Sequence, residues 1–459
     1  MEHAALEVTQ GVTYFFSAIL FLMVLSLALE EKIHAQKSLI VSVFAIVSLI
    51  FGTALGLLPF GDVTLPNGHN VAIPVYIPAV DWGVIAIILG SSIFVDVTSR
   101  SGLFTWVAIK LTKASRGDSL KLLWYYGFLT VLFSAVLNNV TAMIIIGSLT
   151  AVSLNKLNKA DQLLGFLLIE GLLTNIGGLM TLISSVPNII VGSAAKITFL
   201  QFFVTAGPYV LVATLLTLFM GAKIFSIKPL SDEAAIAESA RLIESFDEND
   251  GIQSKEFFWF GAGMLILFIL TIATTSVLPV ARELGMGFVA ISFAVIMLMR
   301  FKSEVDQFYR SVDWDLIIFF ITLFVVISVM EHAMVLELIG KGISLVIGTE
   351  DSLFGTGALL VLSAAFSSVT DNIPLAAMLA KILTAAGTSA DSSLWWSVVF
   401  GANLGGNLTP IGSASTLVAV TIIHKNNIHM SFAGFVKAAL PFAVAQILLA
   451  LLYVLIFLY

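Results

Sequence analysis

Phe133-Ser-Ala-Val-Leu-Asn-Asn139 recurs 233 residues later as Phe366-Ser-Ser-Val-Thr-Asp-Asn372, each time inside a long apolar stretch. The surrounding segments, 121–155 and 353–387, are longer than the roughly 20 residues that cross a hydrocarbon core as one helix. Each is interrupted near its middle by amide or acid side chains. In lipid every backbone amide needs an internal partner, so such a break is tolerated only where protein covers it or where it lines a wet cavity. The two stretches are therefore expected to be re-entrant helical hairpins with polar tips.

Two further blocks repeat in the same order. Val80-Asp81-Trp82 returns as Val312-Asp313-Trp314, shifted by 232 residues, and Asn175-Ile-Gly-Gly-Leu-Met-Thr181 returns as Asn403-Leu-Gly-Gly-Asn-Leu-Thr409, shifted by 228. On the last offset Ser185 matches Ser413. Short matches are common in apolar sequence, but three in the same order at nearly one offset imply an internal duplication.

The composition agrees. Of 459 residues, 59% are hydrophobic and 11% charged, with a mean hydropathy of +1.03. Soluble domains carry about 25% charged residues, so a water-soluble enzyme is excluded. Spanning helices are expected over 12–29, 38–59, 81–98, 203–227, 256–278, 285–300, 314–331 and 432–458. The segments 162–198 and 393–424 are expected to be crossings broken in the middle. The fold class is thus an all-α polytopic membrane protein of two inverted repeats, each with a re-entrant hairpin and a broken transmembrane helix. Residues 12–227 form the N-terminal repeat and 256–459 the C-terminal one. They are joined by a polar, cytoplasmic linker over 228–255, in which Ser231–Phe246 has the spacing of a surface helix.

The positive-inside rule fixes an orientation. With this threading, 18 of the 22 Lys and Arg residues fall on one side, and only Lys196, Arg282, Lys341 and Lys381 fall elsewhere. Both ends of 121–155 (Lys121 and Lys156) lie on the basic side, as a hairpin requires. Both termini come out external, and 81–98 and 314–331 run in opposite directions, as inverted repeats demand. A prokaryotic inner (plasma) membrane is the expected location. Residues 1–11 lack Lys and Arg and no cleavage site follows, so the first apolar run reads as a retained helix.

The chain has no Cys, which removes disulfides, thiolate metal sites and Cys nucleophiles. A net charge of −7 argues against nucleic acid as a partner. The six His show no metal-ligand spacing, Glu331-His332 lacks the HExxH context, and Ser413 or Ser415 with His424 makes no convincing nucleophile–base pair. No enzyme and no cofactor are expected beyond Na+ or H+ as coupling ion.

The polar groups at the interruptions are the candidate ion or substrate site. At the hairpin tips stand Asn138, Asn139, Asp371 and Asn372. In the broken crossings stand Asn175, Thr181, Ser184, Ser185 and Asn188, facing Asn403, Thr409 and Ser413. Broken helices expose end charges that hold ions at mid-membrane, and hydroxyl and amide oxygens are hard ligands. A carboxylate at membrane depth costs roughly 2.5–3.5 kcal/mol on insertion scales and so marks function. The nearest basic residue in sequence to Asp371 is Lys381, about 15 Å away along a helix, which predicts no local ion pair. Asp371 is then expected to carry a proton or, with Asn372 and Ser413, Na+. Glu170 and Asp96 are further proton-relay candidates; Asp96 also reads as an interfacial partner of Arg100. Asp81 and Asp313 read as helix N-caps.

Ala135-Val-Leu-Asn-Asn-Val-Thr141, Thr174-Asn-Ile-Gly-Gly178 with Ser185-Val-Pro-Asn188, Val369-Thr-Asp-Asn-Ile-Pro374 and Gly401-Ala-Asn-Leu-Gly-Gly-Asn-Leu-Thr-Pro410 resemble the signature blocks of the ArsB/NhaD branch of the ion transporter superfamily. That branch includes arsenite permeases, NhaD-type sodium/proton antiporters and the melanosomal P protein. The resemblance implies paired hairpins and unwound helices, an elevator-like motion and a homodimer. It places Asn138, Asn139, Ser185, Asn188, Asp371, Asn372 and Ser413 at the ion site. Many relatives have Asp at the position of Asn138 and Asp-Pro-Pro-Asn in place of Ser185-Val-Pro-Asn188, so this site is less negative. The Ser-Asn-Thr tip motif of sodium/dicarboxylate relatives is missing here.

The expectation is a secondary active transporter of a small ion in the lipid bilayer, working by alternating access. Na+/H+ antiport centred on Asp371 is favoured. The alternative is H+- or Na+-coupled transport of arsenite or another small anion.

Overall fold

A computed structural model describes the chain except for residues 1–7, 59–60, 65–66, 75, 232–237, 240, 244–245, 303 and 349–351. It is helical apart from one antiparallel pair, β1 (Gly61–Thr64) and β2 (Asn70–Ile73). Nine helices among the described residues are long and apolar enough to cross a membrane. Eight cover the expected spans: α1 (Gln10–Ala28), α2 (Lys37–Ala54), α3 (Trp82–Ser99), α9 (Phe199–Ile224), α10 (Lys255–Ala273), α11 (Pro279–Arg300), α13 (Trp314–His332) and α19 (Phe432–Tyr453). Within α11, Gly285 has φ 78° and breaks the helix, so the regular span starts where the sequence reading began it. Short helices α4 (Leu103–Ser115), α12 (Val305–Ser311) and α14 (Val335–Ile347) precede α5, α13 and α15 respectively.

The first interrupted stretch forms α5 (Ser119–Val136) and α6 (Asn139–Lys156). They fold back on each other. Beyond α6, Lys159 Nζ donates to Gly117 O (2.6 Å) and Ser119 Oγ (2.8 Å) at the base of α5. Midway, the Tyr126 and Ser153 hydroxyls are 2.9 Å apart. The ninth helix with spanning length is α5, the first arm of this hairpin. The second interrupted stretch forms α15 (Leu353–Ser367) and α16 (Asn372–Ala385). The tips are capped by the side chains that break them: Asn138 accepts from Thr141 N and Asp371 from Ile373 N. Asp81 and Asp313 cap α3 and α13 in the same way.

The other two polar segments are helices with an unwound middle: α7 (Leu163–Gly178) then α8 (Val186–Ala194), and α17 (Ser393–Gly405) then α18 (Ala414–Lys425). Nearly all of α7 and all of α17 is buried, so protein covers the backbone that is broken, as lipid requires.

The packing repeats as the sequence does. Helix α5 packs on α7 and α15 on α17; α3 packs on α11 and α13 on α2. The returning arm of each hairpin lies on the far half of the other half-chain's broken crossing, α6 on α18 and α16 on α8. Individual bonds repeat too. Ser134 Oγ donates to Thr174 O (2.6 Å) and Ser367 Oγ to Ala402 O (2.5 Å). Thr181 Oγ1 donates to Ala135 O and Thr409 Oγ1 to Ser368 O, both at 2.6 Å. Pro208 and Pro441, also 233 apart, lie inside α9 and α19.

Most of the expected surface helix at Ser231–Phe246 lies outside the described residues. The linker residues that are described lie across the base of the first hairpin. Leu230 N donates to Asp118 Oδ2 (2.9 Å), the Lys156 ammonium stands over the Phe246 ring, and Glu248 pairs with Lys110 (2.6 Å) and Lys113.

Candidate functional site

Where the two broken crossings meet, their side chains exchange hydrogen bonds across the repeat. Ser185 Oγ donates to Asn403 Oδ1 (2.7 Å), and in the matching place Asn175 Nδ2 donates to Ser413 Oγ (2.9 Å). Beside this junction lies a polar cavity of about 370 Å³. Of the sequence-expected residues, Asn138, Asn139, Asn175, Ser184, Ser185, Asn372 and Ser413 line it, and so does Asp96. Thr181, Asn188, Asn403 and Thr409 stand behind the wall. There they hold the unwound backbone; Asn188 Nδ2, for instance, donates to Gly178 O (2.7 Å) and Thr181 O (2.9 Å).

Asp371 requires a correction. It is not the unpaired charge expected of it, because Lys37 Nζ in the first turn of α2 reaches its Oδ2 at 2.5 Å. Nor does it line the polar cavity with Asn372 and Ser413. It faces a separate, apolar crevice of about 470 Å³ between α1, α14 and the second hairpin. The three residues expected to share Na+ therefore do not meet as one ligand set.

Asp96 is half-exposed, accepts from Ser311 Oγ (2.7 Å) and lies 3.6 Å from Arg100. Glu170 lies away from the cavity, fully buried. Thr150 Oγ1 donates to its Oε1 (2.6 Å), while Oε2 has no hydrogen-bond partner.

Sequence reasoning missed part of the wall: Ser91, Ser92, Ser311 and Asp313. Asp313 looked only like a helix cap, although its repeated Val-Asp-Trp block was the available signal. Four helix N-termini also meet here. The first residues of α6, α8, α16 and α18 all contribute to the lining. Each such end carries about +0.5 elementary charge, while the C-terminal ends of α5 (Val136) and α12 (Ser311) at the same wall oppose them with about −0.5 each. Asp96 and Asp313 oppose them too, and no Lys, Arg or His is among the lining residues.

A helical membrane protein whose broken crossings and hairpin tips enclose a small polar cavity is a membrane transporter. Residues 37–401 match the citrate transporter family CitMHS, and the chain belongs to that family, within the ion transporter superfamily. A 46 kDa membrane protein of Mycobacterium leprae is 30% identical over 82% of this chain and 86% of its own length. An uncharacterized transporter of Synechocystis sp. is 24% identical over 96% of both chains. The human P protein is 24% identical over 90% of this chain but only 58% of its own length. The solved YdaH transporter of Alcanivorax borkumensis shares the fold, with a TM-score of 0.57 at 11% identity, covering 92% of this chain and 98% of that one. The matched family and the Synechocystis and Alcanivorax proteins are transporters and not enzymes.

Proposed function

We propose that this transporter moves a small anion, of the carboxylate or oxyanion class, together with a coupling cation. The observation that carries the reading is the meeting of four helix N-termini at one cavity, since such ends bind anions through backbone N–H groups and the dipole. Their partial positive charge is opposed by the C-terminal ends of α5 and α12 and by Asp96 and Asp313, so an anion entering alone would leave the site net negative. Entry with Na+ or H+ restores the balance. The family description makes citrate the first solute to try, with arsenite and sulfate beside it.

Na+/H+ antiport is the second reading, favoured by the two carboxylates and the lack of basic side chains on the cavity wall. Its original centre, Asp371, is occupied by Lys37, so in this reading Asp96, Asn139, Asn175 and Ser185 hold the cation and Glu170 relays the proton. In both readings the duplicated halves face opposite ways across a prokaryotic inner membrane and alternate access, in a homodimer of the ArsB/NhaD kind.

Proteoliposome flux separates the two. Labelled citrate, arsenite or sulfate taken up only under an imposed Na+ or pH gradient supports coupled anion transport. A pH-dye response to Na+ or Li+ with no other solute present supports antiport. A pH dependence of transport that disappears in Glu170→Gln assigns the relay.

A further inference from the structure

We propose that Asn407 and Gln446 are positioning residues that fix which end of the Asn175 carboxamide meets the cavity, and so make Asn175 a ligand for Na+. The proposal rests on the reading above that a coupling cation binds in the polar cavity, and it names that ion and one of its ligands.

An amide side chain has an accepting end and a donating end, and the surrounding bonds decide how it is turned. A backbone carbonyl only accepts, so Leu172 O requires that the Asn407 end facing it, at 3.2 Å, be the NH2. The same Nδ2 donates to Gln446 Oε1 at 2.8 Å, and Gln446 Nε2 in turn donates to Thr217 Oγ1 at 2.9 Å. Asn407 must then present its oxygen to Asn175, whose Nδ2 donates to it at 2.8 Å. With its NH2 committed there and to Ser413, Asn175 is left with Oδ1 turned to Asn139 and Ser415, both on the cavity wall.

Those two contacts, 3.2 and 3.3 Å, are the long ones at Asn175. They are the bonds a cation would displace. Asn175, Thr217, Asn407 and Gln446 are each at most 1% exposed, so water cannot substitute for a missing link. Turned the other way, Asn175 would offer a donor and repel Na+.

The test uses the full-length protein in detergent. Thermal unfolding is followed while NaCl replaces choline chloride, which gives an apparent Na+ affinity, and citrate uptake is measured in parallel. Gln446→Leu and Asn407→Leu should weaken apparent Na+ affinity about tenfold, while uptake at saturating Na+ stays within about twofold of wild type. Gln446→Glu keeps an oxygen for Asn407 Nδ2 and should restore Na+ affinity to within about threefold. Unchanged Na+ affinity in both Leu variants, or loss of uptake that saturating Na+ does not restore in either, overturns the positioning role. A wild-type protein neither stabilised by Na+ nor dependent on it for uptake removes the cation reading itself, and this proposal with it.

Discussion

Lys37 Nζ and Asp371 Oδ2 lie 2.5 Å apart, joining the first turn of α2 to the tip of the second hairpin. Two more acids frame this helix start: Asp315 Oδ1 accepts from Ser38 N (3.2 Å), and Glu30 stands 3.7 Å from Lys37. Asp371 is only 14% exposed in its side chain and Lys37 33%. Removing one partner from a fully buried pair costs about 3–5 kcal/mol; partial exposure of Lys37 reduces that to about 1–2 kcal/mol here. Lys37→Met and Asp371→Asn should each lower the melting temperature by a few degrees. The double variant Lys37→Met with Asp371→Asn should lose clearly less than the sum of the two single losses. Additive losses in the double variant would show that the two side chains do not couple.

The close approach of the hairpins to the broken crossings sets a second expectation. A Cβ on Gly405 would stand 2.3 Å from Ala364 O, and one on Gly177, its repeat partner, 2.7 Å from Val131 O. Both obstacles are backbone atoms, so the helices themselves must separate. Gly405→Ala should destabilise more than Gly177→Ala, each by at least about 1–3 kcal/mol, the usual cost of overpacking. Gly263, within α10, has nothing within 4 Å of such a Cβ. Gly263→Ala should therefore stabilise by up to about 1 kcal/mol. Thermal unfolding of the three variants ranks them, and equal effects at 405 and 263 would contradict the packing.

The hairpins and broken crossings were legible because lipid leaves few choices. Asn138-Asn139 or Asp371-Asn372 inside an apolar run has to be a covered break, and repetition at 228 and 233 residues made the pattern visible. The partner of Asp371 was not legible, since Lys37 is 334 positions away and sequence distance offered only Lys381. Asn407 and Gln446 were missed for a related reason. Each is a single amide in its own helix or break, and only packing across the repeat turns them into a chain. Asp313 has an ordinary local explanation, a helix cap, that hides its place on the cavity wall, whereas Asp96 stands among the relay candidates the sequence already offers.

The linker offers a pH test. Lys110 and Lys113 hydrogen-bond the Glu248 carboxylate and hold its pKa at about 2, below the ordinary 4.5. Because the folded value is the lower one, the unfolded or undocked segment binds the proton more readily. The contribution of this contact is complete above pH 4.5 and is lost as pH falls toward 2. Pepsin cleavage within 230–255 should therefore stay slow down to about pH 3 in wild type. In Lys110→Gln/Lys113→Gln that contribution is absent at every pH, so cleavage should already be fast at about pH 5 and should not show the wild-type protection between about pH 5 and pH 3. Identical cleavage profiles would mean the strap is held by Phe246 and Leu230 rather than by charge.

Opposite orientation of the two halves is open to a direct chemical test, because the chain has no Cys to remove. Ala160 follows the first hairpin and Ala390 the second, each just before a broken crossing, and both are exposed. They are equivalent positions in the duplicated pattern, so a parallel duplication would put them on one side of the membrane. Inverted halves put them on opposite sides, with Ala160 on the side that carries Lys121, Lys156 and Lys159. In right-side-out vesicles a membrane-impermeant maleimide should label Ala390→Cys and spare Ala160→Cys, and in everted vesicles the preference should reverse. Labelling of both from one face would leave two halves that cannot exchange roles, and alternating access by that symmetry would have no structural basis.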